Sequence, residues 1–502
     1  MHLKSVFPAL LAGAVLICGS YAQEKTYNGY TFVFSGKNAY LYDIDKKAIK
    51  TWTVPNNIEG CADLLRDSSI IVPSKASGSG FGSLALPHGH FQIINWNGEI
   101  TWDYTYSSSS YTPHHDMEPV YRTNDPKEKP TFLIPCYTSW GDKIVELRPT
   151  GKTTAEVIWE WSASDHLCES ECSDKADLID KSKGGVGCFN KTSDAMHVNN
   201  VSYNRALDQI ILSCKGLNEL LIIDHSTTTA QAKTSAGGKS GKGGSILYRW
   251  GSPSNYGMSD SKVFSGQHHC CWVKDTMPGT NQAIPEGGNF MVIDNGNKRA
   301  LEIQNPFKTG TYTRTAGKAF DPSTFQWTFK PGGLAGNEGS IQKLPNGNYL
   351  ICTGGVPMGD FGMGGMGGTG STVYEIAPTG TSGGTVVWQI DGFGTSTEGY
   401  RYAYGYLDNK PTSVRSSGMT SANISSLEII TGSISGRFII STNNRIDNAR
   451  LSLYSLSGEE IIKNSAPVFG STWNMGSLCD GMYFVKITSG QNVLTDRISV
   501  QH

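Results

Sequence analysis

Six times this chain repeats one phrase: a short alternating strand, a turn, and a second strand that ends in tryptophan. YLYD leads to Trp52, FQII to Trp102, and IVEL to Trp159. LLIID leads to Trp250, ALEI to Trp327, and VYEI to Trp388. A repeat of this length limits the fold more than any composition does, because each copy must be one supersecondary unit that stacks on its neighbours. Most copies continue with an apolar run, a turn and another apolar run, as in ADLLRDSSIIV, NVSYNRALDQIILS and SIQKLPNGNYLI. Each unit therefore reads as about four short antiparallel strands, the size of a propeller blade. Successive tryptophans stand 50, 57, 91, 77 and 61 residues apart. Such uneven spacing falls in loops, where insertions cost little. A β-sandwich is the competing architecture, but sandwich strands do not repeat an ordered phrase. The expected fold is all-β: a six-bladed β-propeller over residues 23–410.

The ends of the chain read differently. Lys4, the apolar run 6–18 and Ser20-Tyr21-Ala22 form a secretory signal over residues 1–22. Cys18 follows Ile17 rather than a small residue, so no lipoprotein signal is read. Signal removal leaves ten cysteines, an even number for an oxidising compartment. Cys168, Cys172 and Cys188 share one insertion, where a disulfide is expected and a zinc cluster is the rival. Residues 411–426 form a polar linker, and 427–502 read as a small C-terminal β-sandwich. There LSLYSLSGEEI and GMYFVKITSGQNVLTDRISV resemble the C-terminal sorting domains of gliding-type bacterial secretion systems. That resemblance implies export to the cell surface or medium, with outer-membrane secretion machinery as partner. The net charge of −2 and the lack of basic blocks argue against nucleic acid.

Three histidines follow tryptophan-ended phrases: His115 in HHDMEPV, His197 in HVNNVSY and His268 in QHHCCWV. Each stands at the start of the next strand, which in a propeller lines the central channel. The matching places EGCADLL and NEGSIQKL hold no histidine, so the site is one-sided. Asn199 stands two residues after His197, and strand alternation puts both on one face. Lys215 ends the paired strand. Asn295 and Arg299 lie in IDNGNKR, on the strand after the third histidine. Imidazoles with amides and fixed cations suit an oxyanion such as sulfate or phosphate. A metal site more often holds carboxylates, or three histidines without a lysine.

HHD, HxN, YRWGSPSNYG, QH and DNG, in this order on a tryptophan-marked repeat, resemble the bacterial aryl-sulfate sulfotransferases. WEWSASDHL and the LPNGN turn do so too, and the resemblance spans residues 27–405. It implies a six-bladed propeller that moves a sulfuryl group between phenols through a sulfurylated histidine, in a ping-pong cycle without a nucleotide donor or other cofactor. By position, QH makes His268 the nucleophile. HxN gives His197 and Asn199 as sulfate-binding and acid/base groups. HHD gives one more binding histidine, His115 in preference to His114. The family's arginine in its S-x-R strand end falls on Lys215, which keeps the charge and loses the bidentate fork. Weaker activity or a different donor is the expected consequence. The vicinal Cys270 and Cys271 are also unusual. Tyr137, Trp140, Tyr256 and Phe361 are candidates for an aromatic rim. The glycine- and methionine-rich tract 359–370 reads as a loop, and 234–245 reads as a linker rather than a phosphate loop. Two rival functions stand: a non-catalytic surface binding propeller, and a metal enzyme ligated by His115, His197 and His268. The sequence carries no signal for an oligomeric state.

Overall fold

In the computed structural model, the described residues run from 26 to 407 with short gaps, the longest 78–85 and 356–369, and then cover the strands of 427–500. The expected signal, the linker 411–426, Phe361 and nearly all of the tract 359–370 lie outside the described residues. The architecture is almost all β. Among the described residues, 30–402 form six antiparallel sheets in chain order, with a two-stranded parallel pair, Leu167–Cys168 and Ile179–Asp180, between the third and fourth. Sheet 1 joins Tyr30–Ser35, Asn38–Tyr42 and Ala48–Thr53 to the distant strand Gly399–Tyr402. Sheet 2 spans Asp63–Leu64 to Ile100–Thr105, and sheet 3 spans Thr112–Pro113 to Thr154–Ser162. Sheet 4 spans Val198–Asn204 to Tyr248–Trp250, sheet 5 His268–Trp272 to Trp327–Phe329, and sheet 6 Ser340–Lys343 to Gly384–Phe393.

Each repeat tryptophan lies on the last strand of its own sheet and bonds to the sheet that follows. The Trp52 indole N–H donates to the Asn95 carbonyl at 3.1 Å, and that of Trp102 to the Thr154 carbonyl at 3.1 Å. Trp159 donates to the Thr227 hydroxyl at 3.1 Å, and Trp250 to the Pro322 carbonyl at 2.8 Å. Trp327 donates to the Gly383 carbonyl at 3.0 Å, and Trp388 to the Ile44 carbonyl of sheet 1 at 2.8 Å. Indole suits this place because its body is apolar and its one donor needs a partner when buried.

The core lies between sheets. In sheet 4, Ile210, Leu212, Leu221 and Ile223 pack into a cluster with Trp159, Trp161 and Leu133 of sheet 3. Their neighbours Ile211, Leu220 and Ile222 pack the other way, with Trp272, Phe290 and Val292 of sheet 5. Side chains alternate across a strand, so a strand buried on both faces must be apolar at every position. That is why QIILSC and ELLIID read as unbroken runs. A third cluster unites Val33 of sheet 1, Ile293 of sheet 5 and Ile351 and Val373 of sheet 6.

A second compact unit holds the C-terminal strands. Leu427–Thr431, Arg437–Thr442 and Thr472–Asn474 form one antiparallel sheet. Glu460–Ser465, Arg450–Ser455, Gly481–Ser489 and Asn492–Val500 form another.

Candidate active site

The histidines reach one another through distorted strand starts. His115 and His197 hold left-handed backbone, with φ of 57° and 49°, a conformation that costs a non-glycine residue on the order of 1–3 kcal/mol. Strand pairing slips between Val198 and Asn200 and between His268 and Cys271. Such bulges re-aim side chains, so simple alternation does not govern Asn199. Its amide donates instead to the Gln267 carbonyl at 2.8 Å, tying sheet 4 to sheet 5 beside His268. Gly60, with φ +82°, lets its backbone pass against His115, where a Cβ would stand 2.1 Å from the His115 carbonyl oxygen.

Four side chains converge. The rings of His115 and His197 lie 4.6 Å apart, centre to centre. Glu338 Oε1 lies 3.9 Å from His115 Nε2 and 3.5 Å from His268 Nε2. The three histidines are buried, whereas Glu338 is 12% exposed, the most open member of the group. Lys215 follows the strand Gln209–Cys214, and its backbone N–H donates to the His197 carbonyl at 3.1 Å. Its ammonium field reaches all three imidazoles and the Glu338 carboxyl.

Asn295 fixes the tautomer of His268. Its Nδ2 donates to the Glu338 backbone carbonyl at 2.7 Å, which orients the amide. Its Oδ1 then faces His268 Nδ1 at 2.7 Å and can only accept. The His268 proton therefore sits on Nδ1, and the Nε2 lone pair points toward Glu338. Burial first, and then the Lys215 charge, hold His268 well below the usual histidine range. A neutral imidazole with a free lone pair is a nucleophile.

A relay sets His115. His114 Nδ1 is 2.8 Å from His115 Nδ1, and His114 Nε2 is 2.6 Å from Asp142 Oδ1. Burial, and then Asp194, push the Asp142 carboxyl well up. These contacts link Asp142 through His114 to His115, whose Nε2 faces Glu338. His197 has its own partner, with Nδ1 2.9 Å from Asp194 Oδ1. That pair lies close to Cys188: the three ligating atoms fall within 4.8 Å, the one such grouping among the described residues. Burial, and then Asp194, push the Cys188 thiol up to about 12, leaving it neutral beside the His–Asp pair.

Of the residues expected from sequence, the structure brings together His115, His197, His268 and the charge of Lys215. Asn199 and Asn295 are beside them as braces. His114 is fully buried behind His115, stacked on Tyr137 at 3.5 Å, and takes the relay place rather than an anion-facing one. Arg299 is engaged elsewhere: it bonds Asp294 at 2.9 Å and the Val263 carbonyl at 3.0 Å, and lies over the Phe325 ring. The cause is register, since Arg299 pairs directly with Asp294 across the strand. Tyr137 and Tyr256 are buried packing residues, and Trp140 lies against the core between sheets 3 and 4. Cys168 is bonded to Cys172, so the expected disulfide is present and a zinc cluster of these cysteines is not. Cys188, Cys270 and Cys271 are free. His269 turns away to the Tyr400 hydroxyl, at 2.9 Å.

Sequence reasoning missed Glu338, Asp142 and Asp194. Glu338 had a signal, because NEGSIQKL was already identified as the place equivalent to the histidine positions. A search for histidine alone passed over the glutamate standing there. Asp142 lies 28 positions from His114 and had none.

Comparison with known proteins follows the same division of the chain. A family model described as arylsulfotransferase (ASST) matches residues 62–358. A second, described as a secretion system C-terminal sorting domain, matches residues 434–501. Among solved structures, a putative 6-phosphogluconolactonase from Bacteroides uniformis is 9% identical, with TM-score 0.37, covering 92% of this chain and 100% of that one. The periplasmic gluconolactonase of Pseudomonas aeruginosa is 9% identical, with TM-score 0.35, covering 89% of this chain and 98% of that one. No curated protein matches the chain.

Proposed function

The chain belongs to the arylsulfotransferase family, and we propose that it moves a sulfuryl group from an aryl sulfate to a phenolic acceptor through a sulfohistidine on His268. One observation carries this reading. Asn295 holds the His268 proton on Nδ1 and leaves the Nε2 lone pair facing a space shared with His115, His197 and the Lys215 charge.

In the first half of the cycle, His268 Nε2 attacks sulfur and the S–O bond breaks toward the phenol oxygen. In the second, an acceptor phenol takes the sulfuryl group from nitrogen. Charge spreads over the equatorial oxygens of a loose transition state, so positioning and electrostatics supply most of the rate. Lys215 supplies the positive charge for the sulfate oxygens in this scheme, and His115 and His197 line the same place. Losing an oxyanion donor costs about 2.7–4 kcal/mol in the barrier. Asn199 holds the two sheets in register beside the nucleophile. Arg299 has no part.

The Lys215 charge also speaks against the reading of the three histidines as metal ligands, since it would repel a cation among them. Dialysis against a chelator is expected to leave transfer unchanged. The decisive assay is release of 4-nitrophenol from 4-nitrophenyl sulfate in the presence of a phenol. Wild type is expected to turn over, His268→Ala to be inactive, and trapped enzyme to carry a sulfuryl adduct on the peptide with His268. Equal release by both proteins would overturn the assignment and favour a binding role.

The same reading takes the six sheets as blades of a closed propeller. Two features support closure: Gly399–Tyr402 completes sheet 1, and tryptophan bonds run from each sheet to the next and from the sixth to the first. The C-terminal sorting domain supports delivery to the surface or medium. A signal at 1–22, a linker at 411–426 and the outer-membrane secretion machinery as partner complete the proposal.

A further inference from the structure

Glu338 Oε1 lies 3.5 Å from Nε2 of His268, the nitrogen assigned to attack sulfur. An ionised carboxylate there would repel the donor, whose sulfate is itself an anion. The groups facing it are His115, His268, Lys215, Asp116, Glu398 and Tyr137. Its backbone holds left-handed φ of 62°, and its carbonyl is anchored by Asn295, which keeps this residue beside His268.

We infer that Glu338 is the proton carrier of the transfer, a catalytic acid in the first half and a base in the second; this rests on the sulfotransfer reading. Neutral Glu338 admits the aryl sulfate. As the S–O bond breaks, its electron pair goes to the phenol oxygen, and that oxygen takes the Glu338 proton. The products are sulfo-His268, free phenol and a Glu338 carboxylate. The carboxylate then removes the proton of the acceptor phenol, whose oxygen attacks sulfur. The N–S bond breaks, its pair returns to Nε2, and Glu338 is again protonated. Glu338 thus takes the proton-transfer role that the resemblance gave to His197, which keeps its place beside the sulfate. Burial outweighs the Lys215 charge and pushes this carboxyl up to about 7, so both forms are accessible at neutral pH. A matched pKa of this kind is what general acid–base catalysis needs.

The test compares two donors on the full chain, 4-nitrophenyl sulfate with an acidic leaving phenol and 4-methylphenyl sulfate with a basic one. Only the basic leaving group needs the acid. In Glu338→Gln, the rate ratio between the donors is expected to widen by about 10²-fold over wild type. The alkaline fall of wild-type kcat/KM near pH 7 is expected to disappear. The same ratio and the same alkaline fall in both proteins would overturn the inference. Should the variant not fold, as judged by circular dichroism, wild type alone decides: the ratio must widen as pH rises through 7, and a flat ratio sinks the proposal. Absence of any sulfo-enzyme in wild type would instead sink the sulfotransfer reading itself.

Discussion

At the scale of single residues, the site is a set of proton positions fixed by neighbours. Asn295 can accept from only one tautomer of His268. Replacing it with leucine is expected to lower kcat on the order of 10²-fold, with KM little changed. Nitrogen NMR of the His268 ring should show the lost tautomer preference. Lys215 depresses the His268 pKa together with burial. Lys215→Met therefore raises that pKa, so protonation removes the nucleophile at higher pH. The acid limb of the rate profile is expected to move to higher pH, whereas Lys215→Arg should leave it in place. Gly60→Ala sets a Cβ against the His115 carbonyl at a positive φ. It is expected to cost about 1 kcal/mol or more in stability and to lower transfer, measured by denaturant unfolding and the phenol-release assay. The histidines were legible because their strand-start position recurs in the repeat. Asp142 was not, because it stands 28 positions from His114 on another strand, whereas Asp194, three residues before His197, was within reach of a local search.

At the scale of elements, the repeat phrase becomes a sheet, and its terminal tryptophan becomes a fastener to the next. Trp388→Phe keeps an aromatic ring but a smaller one, and deletes the bond to Ile44 between sheets 6 and 1. One buried hydrogen bond of this kind contributes about 0.5–1.5 kcal/mol, so the denaturation midpoint should drop accordingly, with the far-UV spectrum unchanged. The six tryptophans and the apolar runs were read correctly from sequence because both follow from strand periodicity and burial. The bulges at Val198/Asn200 and His268/Cys271 were not. A bulge is set by pairing with another strand, so nothing in the bulged segment alone announces it. The misplacement of Arg299 has the same origin, since its register opposite Asp294 is a property of two strands.

At the scale of the whole molecule, an arylsulfotransferase-like domain and a C-terminal sorting domain share one chain. Deleting residues 434–501 is expected to leave transfer activity in cell extracts and remove it from the surface and medium, as assayed by fractionation. By itself, the sequence determined the all-β class, the six repeats, the place of each tryptophan and the three histidines that belong together. All of these are local or periodic, and local sequence carries periodicity. Only the tertiary structure decided which nitrogen of His268 meets Asn295, which histidine lies behind His115, and that Glu338 faces His268. Those properties arise where groups far apart in the chain meet at 2.6–3.5 Å, and no single segment encodes such a meeting.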